Sequence, residues 1–304
     1  MSMTIRSIEV PLSPQRGEPR RNLDPMNITI HPVTTIEECR IIEQLQVAIW
    51  AADDREVTPD HVLFTVAQEG GLVLLALTDD NVPVGFTFGF PGLTGDRRLK
   101  LVSHQTGVSG PYQSRGVGYQ LKLAQREAAL SRNFELITWT FDPLQARNAR
   151  LNLRKLGAVC RTYLPNLYGE MRDELNQGLP SDRFKVEWWI ATGHVVQRIT
   201  GQAAAPSLST SEYPILNPAT LLENGLLEPA EVIDDSEASF CLVEIPANLD
   251  RLKTEAPDLA LRWRLQTRHL FETAFAAGYT AVDLLRQENR VYYLLQEDIT
   301  RYEA

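Results

Sequence analysis

At 304 residues the chain can bury one large hydrophobic core or two modest ones, so one or two domains are expected. A hydrophobic fraction of 43% and a charged fraction of 23% are ordinary for a soluble globular protein, and no apolar run approaches the roughly 20 residues that span a bilayer. A net charge of −9 argues against broad binding to nucleic acid or an anionic membrane, which needs clustered cations, but leaves room for a local basic pocket.

Residues 1–25 are rich in proline and arginine, with no sustained period, and read as a disordered or extended tail. The N-terminus lacks the charged-then-apolar layout of a secretory signal. The three cysteines, Cys39, Cys160 and Cys241, are odd in number, far apart and set in apolar segments. They are expected to be reduced core thiols of a cytoplasmic protein, without metal-ligand spacing. Met26 opens what reads as a fresh domain, as if translation began there.

From Met26 the elements follow quickly. Ile28–Val33 reads as a strand, and Thr34 or Thr35 caps a helix that carries Glu37 and Glu38 in its first turn and ends at Trp50. The acidic stretch around Asp53, Asp54 and Glu56 is a loop before a second helix start at Thr58-Pro59-Asp60. Leu72–Leu77 and Val84–Phe90 form a hairpin through the turn Thr78–Asn81, and Leu99–Val108 is the next strand.

That strand leads into Gln113-Ser114-Arg115-Gly116-Val117-Gly118. Apolar residues then recur at 117, 121, 124 and 128 with helical spacing. A glycine-bearing turn between a strand end and a helix start leaves backbone N–H groups without partners at the positive end of the helix dipole. Such a turn can cradle a phosphate or pyrophosphate, and glycine lets the backbone come close to it. Beyond the helix, Leu136–Phe141 is a buried strand that ends at Asp142-Pro143. Ala146–Leu156 is a short helix stopped by Gly157, and Ala158–Tyr163 and Val186–Ile190 are further strands. Asn148 and Asn152 share one face of the short helix, beside a buried stripe of Ala149, Leu153 and Leu156.

The Gln-x-x-Gly-x-Gly turn, the order of elements over about residues 27–192, and the segment Asn148–Ala158 together resemble the GNAT N-acyltransferase superfamily. The resemblance implies an α/β (α+β) fold with a mixed central sheet flanked by helices, and acetyl-CoA or another acyl-CoA as co-substrate, with no metal. By the same resemblance Gln113, Ser114, Arg115, Gly116, Val117 and Gly118 bind the coenzyme A pyrophosphate. Val108 offers edge-strand hydrogen bonds to the pantetheine arm. Asn148 touches the pantetheine or orders the thioester, or else simply caps its helix. Lys155 or Arg154 meets a nucleotide phosphate or stays on a solvated helix face. His104 stands where the family often places its general base, with a core histidine as the other reading. Leu153 occupies the position of the family's usual tyrosine acid, so Tyr163 or Tyr168 replaces it, or the thiolate leaves unassisted. By the resemblance Asp53 and Trp139 belong to the acceptor pocket, with a solvated loop as the other reading for Asp53 and its neighbours Asp54 and Glu56.

Residues 201–235 are rich in Ala, Ser, Pro and Thr and read as a linker. Residues 236–304 then repeat a strand–helix–strand–strand order without the glycine turn, as a degenerate GNAT half or accessory subdomain. On its long helix Arg264 and Arg268 are four apart and extend the line of Phe271 and Phe275. They either recognise a carboxylate on the acyl group or acceptor, or form an intramolecular ion pair, for instance with Glu272 or Glu244.

The expected domains are therefore 1–25 (tail), 26–200 (acyltransferase), 201–235 (linker) and 236–304 (accessory). The expected function is direct transfer of an acetyl or succinyl-type group to a small amine acceptor, such as an amino acid. No nucleic acid or membrane partner is expected, and a homodimer is allowed. A coenzyme A-binding protein of the same fold that has lost catalysis is the alternative. A dinucleotide-binding enzyme is a distant third, because the full Gly-x-Gly-x-x-Gly is missing.

Overall fold

The computed structural model describes residues 27–50, 57–169, 178–202, 213–232 and 238–297, which fall into two compact units that divide after Glu135. The acidic loop with Asp53, the N-terminal tail and part of the expected linker lie outside the described residues.

The first unit opens with strand β1 (Ile28–Pro32), followed by helices α1 (Ile36–Trp50) and α2 (Asp60–Gln68). A capping box starts α1: the Glu38 N–H donates to Thr35 Oγ1 at 3.3 Å, and the Thr35 N–H donates to Glu38 Oε2 at 3.1 Å. Strands β2 (Leu72–Thr78), β3 (Pro83–Leu93) and β4 (Leu99–Val108) follow, all antiparallel in the order β1-β2-β3-β4. A single 3₁₀ turn at Gly110–Tyr112 precedes helix α3 (Val117–Leu130).

Alternation along β3 decides which helix covers which face. Phe86 and Phe88 join Cys39, Ile42, Leu45 and Leu63 of α1 and α2 in one core. The alternate residues Gly85 and Thr87 turn to α3: a Cβ on Gly85 would lie 3.2 Å from Leu121, and Thr87 bonds to Gln125. The pairing of β3 with β4 runs evenly to Phe88, which faces Gln105, and then jumps, so that Gly89 faces Ser103. His104 is therefore the extra residue of a β-bulge, a device that bends a strand and re-aims a side chain.

The second unit begins with β5 (Leu136–Phe141), an α-helical turn α4 (Ala146–Ala149) that widens into a π-helical turn at Arg150–Lys155, and strands β6 (Val159–Leu164) and β7 (Arg183–Trp189). Gly157 closes the π turn at φ 72°, in the left-handed region that glycine tolerates. Helix α5 (Gly193–Ile199) leads to a small hairpin of β8 (Ala219–Leu221) and β9 (Leu227–Pro229), inside the stretch expected to be a linker. Strands of three residues carry no readable period.

The C-terminal section has the expected strands and long helix with one helix more: β10 (Phe240–Ile245), the unexpected helix α6 (Leu249–Glu255), α7 (Pro257–Ala276), then β11 (Tyr279–Gln287) and β12 (Arg290–Glu297). These strands continue one antiparallel sheet in the order β5-β7-β6-β11-β12-β10, joined where Ala281 faces Cys160. Phe184 of β7 packs against Phe271 and Phe275 of α7 and Tyr293 of β12, with ring centroids 4.7–5.3 Å apart. None of the described helices is long and apolar enough to cross a membrane.

Candidate active site

In the first unit the turn before α3 is a bare helix N-terminus. Gly116 caps the helix at φ 87° and Ser114 also takes a left-handed φ of 63°. Among the described residues, the backbone N–H groups of Arg115, Gly116, Val117 and Gly118 donate to no acceptor, and α3 accepts its first bond only at Gln120 N–H to Gly116 O, 3.0 Å. Four N–H groups at the start of a 14-residue helix, with the dipole behind them, have the geometry that can receive an anion. No Cβ contact would arise at Gly116 within 4 Å, so open space lies over the cradle. Gln113 folds back and donates Nε2 to Val108 O at 3.1 Å, tying the turn to the end of β4. The Arg115 guanidinium lies 5.7 Å from the centre of the Tyr112 ring.

His104, at the bulge of β4, is exposed and sits between two rings, with centroid distances of 5.3 Å to Phe88 and 5.8 Å to Phe90. Loss of solvent beside these rings holds its pKa below the ordinary 6.5, so the imidazole is neutral near pH 7 and able to take a proton.

Beneath the bulge lies a buried polar chain that sequence reasoning missed. Lys122 of α3, only 4% exposed, donates Nζ to Ser103 Oγ at 2.7 Å and to Gln125 Oε1 at 3.1 Å. Gln125 Nε2 donates to Thr87 Oγ1 at 3.2 Å. The Thr87 hydroxyl meets Gln105 O at 3.1 Å and Thr106 Oγ1 at 2.8 Å. Burial pushes the Lys122 ammonium down to about 7. The signal that could have found this chain is the Gly-x-Thr-x-Gly face of β3, which asks for a polar partner opposite Thr87.

The second unit holds the remaining expected site residues. Trp139 of β5 is half-buried, its ring edge-on to Trp188 at 5.9 Å. Asn148 is half-buried on α4, and Lys155 is exposed at the end of the π turn. Tyr168 is 55% exposed, its hydroxyl 2.9 Å from Thr140 Oγ1 and its ring under the Arg183 guanidinium at 5.4 Å. Tyr163 is buried and donates its hydroxyl to Asp182 Oδ2 at 2.6 Å. Burial pushes its pKa up, Arg264 opposes this in part, and Asp182 adds to it, so the phenol keeps its proton and donates it in the hydrogen bond to Asp182.

Arg264 and Arg268 face carboxylates of this chain, and their partners are neither Glu272 nor Glu244. Arg264, with no exposed side chain, donates Nη2 to Asp142 Oδ2 at 2.5 Å. Arg268 grips Asp182 with two bonds, Nε to Oδ2 at 2.8 Å and Nη2 to Oδ1 at 2.7 Å. Burial would raise the Asp182 carboxyl, but the bonds from Arg268, Tyr163 and the Asn166 amide outweigh it and hold it low. Glu244 instead takes a two-bond grip from Arg290, at 2.6 and 2.7 Å. The described residues contain no His, Cys, Asp and Glu cluster fit to hold a metal ion.

No family model matches the sequence, and no curated protein matches it. Solved structures similar to it include the NatC complex bound to Gag peptide and CoA, at 16% identity over 53% of this chain and 98% of that chain, with a TM-score of 0.43. An IAA acetyltransferase from Bacillus cereus aligns at 13% identity over 53% of this chain and 98% of that one, with a TM-score of 0.40. An acetyltransferase of the GNAT family from Streptococcus pneumoniae aligns at 12% identity over 53% and 98%, with a TM-score of 0.42. Identity at this level gives no residue of this chain a role.

Proposed function

We propose that this chain is an acyl-CoA-dependent N-acyltransferase of the GNAT superfamily, transferring an acetyl or succinyl-type group directly to a small amine. The observation that carries the reading is the set of four unpaired backbone N–H groups, Arg115 to Gly118, at the N-terminus of α3. These amides and the open space at Gly116 suit a pyrophosphate, and the Gln-x-x-Gly-x-Gly sequence is the one the resemblance associates with coenzyme A. Asn148, Lys155 and Val108 are assigned to the same co-substrate on the resemblance alone.

In the reaction the amine nitrogen attacks the thioester carbon, the carbon–sulfur bond breaks and the coenzyme A thiolate leaves. An amine acceptor is mostly protonated near pH 7 and must give up that proton before its lone pair can attack, so a base is required, directly or through water. His104, held neutral at pH 7 by its apolar setting, supports that assignment. Of the two tyrosines, Tyr163 is buried and committed to Asp182, which leaves the more exposed Tyr168, hydrogen-bonded to Thr140, as the candidate acid.

One observation favours the non-catalytic alternative: Leu153, at the position of the family's tyrosine, is wholly buried and brings no acid. Calorimetry with coenzyme A and a thiol-release assay with acetyl-CoA and succinyl-CoA over an amine panel separate the readings. Binding with turnover is the expected result. Binding without turnover leaves the alternative, and absence of both removes the proposal.

A further inference from the structure

The buried chain under β4 meets the strand on both sides of its extra residue. Ser103, just before His104, accepts from Lys122 at 2.7 Å. Gln105 O and Thr106 Oγ1, just after it, are both engaged by Thr87, at 3.1 and 2.8 Å. Gln125 joins the two ends, accepting from Lys122 and donating to Thr87. A regular ladder would pair Gly89 with the residue next to Gln105. The structure pairs it with Ser103, one position further on, and the surplus residue loops out as His104.

A bulge is a register choice, and without a constraint a strand of this kind can slip back to even pairing, which turns side chains to the opposite face. We propose that Lys122, Gln125 and Thr87 act as a clamp that imposes the bulge and thereby positions His104 between Phe88 and Phe90, making them positioning residues for the general base. The inference rests on the proposed function only for the word base; the clamp and the posture of His104 stand without it.

The energetic setting agrees. A lysine amine placed in the core costs stability, and burial has moved its pKa to about 7. Methionine or leucine would pack there without that cost, so the amine has a use that an apolar side chain lacks: it reaches the Ser103 hydroxyl across the interface between helix and sheet. Gln125, wholly buried on the same face of α3, supplies the second half of the span.

The test is the titration of His104, one of five histidines, followed by NMR and assigned by the signal lost in His104→Gln. In the parent protein the midpoint is expected below the ordinary histidine value and the ring protons are expected to carry the ring-current shift of Phe88 and Phe90. In Lys122→Met and in Ser103→Ala the midpoint is expected to rise toward 6.5 and the ring-current shift to fall. Leu121→Val, which loosens the same helix without touching a clamp bond, is expected to leave both unchanged. Should Lys122→Met fail to fold, Ser103→Ala, which loses one hydroxyl, carries the same readout. An unmoved His104 signal in the folded clamp variants overturns the inference, as does an equal shift in Leu121→Val. The readout needs no catalysis: a chain without transferase activity whose His104 shifts on Ser103→Ala keeps the clamp and loses the proposed function, and an active chain with an unmoved His104 does the reverse.

Discussion

Lys122→Met should change the pH dependence of stability in a way that few single substitutions can. The amine has an ordinary pKa of 10.5 in the unfolded chain and about 7 in the folded one, where burial disfavours its charge. Between these values the unfolded chain binds the proton more tightly than the folded chain does, so stability rises with pH. Worked through the linkage relation, the lysine costs about 4 kcal/mol at pH 7 and about 1–2 kcal/mol at pH 9.5. Methionine removes that cost but leaves Ser103 and the Gln125 carbonyl without a donor, at about 1 kcal/mol each. The variant should thus be more stable than the parent by about 2 kcal/mol at pH 7 and no more stable, or slightly less, at pH 9.5. Urea unfolding of both proteins at half-unit steps between pH 6.5 and 9.5 measures this difference, and titrations of other groups cancel in it. A stability difference that stays flat across the range would refute the claim that the Lys122 amine is buried in an apolar setting.

Gly116→Ala should cost about 1 kcal/mol in thermal unfolding, because φ 87° is unfavourable for a side chain, with no packing cost since nothing lies within 4 Å. Calorimetry should show coenzyme A affinity falling roughly tenfold or more, because the added methyl enters the space over the turn and φ 87° strains the backbone that aims the amides, and an unchanged affinity would count against a pyrophosphate at this turn. Asp142→Ala strands the Arg264 guanidinium, whose side chain is wholly buried, and should destabilise the fold by about 3–5 kcal/mol in urea unfolding. Arg268→Ala should cost less, because Tyr163 and the Asn166 amide still donate to the buried Asp182 carboxylate that it leaves behind. If acyl transfer is observed, His104→Ala should lower kcat/KM roughly 100- to 10,000-fold with coenzyme A affinity unchanged. Because its surroundings favour the neutral imidazole, the acid limb of the parent pH–rate profile should lie below pH 6.5.

The strand periods, the glycine turn and the helix starts were legible because each depends on residues close together in sequence. Leu99–Val108 and Leu136–Phe141 are strands with the bounds their apolar runs suggested, and the N–H groups of Arg115 to Gly118 lack partners for reasons local to Gly116. Fine structure inside those elements escaped the same reasoning. Periodicity assigned the buried stripe of α3 to positions 117, 121, 124 and 128, yet Lys122 and Gln125 are buried because Ser103 and Thr87 lie opposite them. No local pattern marks His104 as an extra residue, since a bulge exists only relative to the partner strand.

The arginine pair on α7 shows the same division. Its spacing and its apolar continuation by Phe271 and Phe275 announced two guanidinium groups facing something anionic. The acid that Arg264 faces, Asp142, lies 122 positions away, and Asp182 lies 86 positions from Arg268. The join of β11 to β6 at Ala281 and Cys160 is equally remote along the chain. By itself, then, the sequence determined the longer elements, the glycine turn and the chemical kind of each candidate group, while the three-residue strands β8 and β9 and the helix α6 escaped it. Register, burial and the choice of ion-pair partner were decided by tertiary structure alone, because each is a relation between segments brought together only when the core forms.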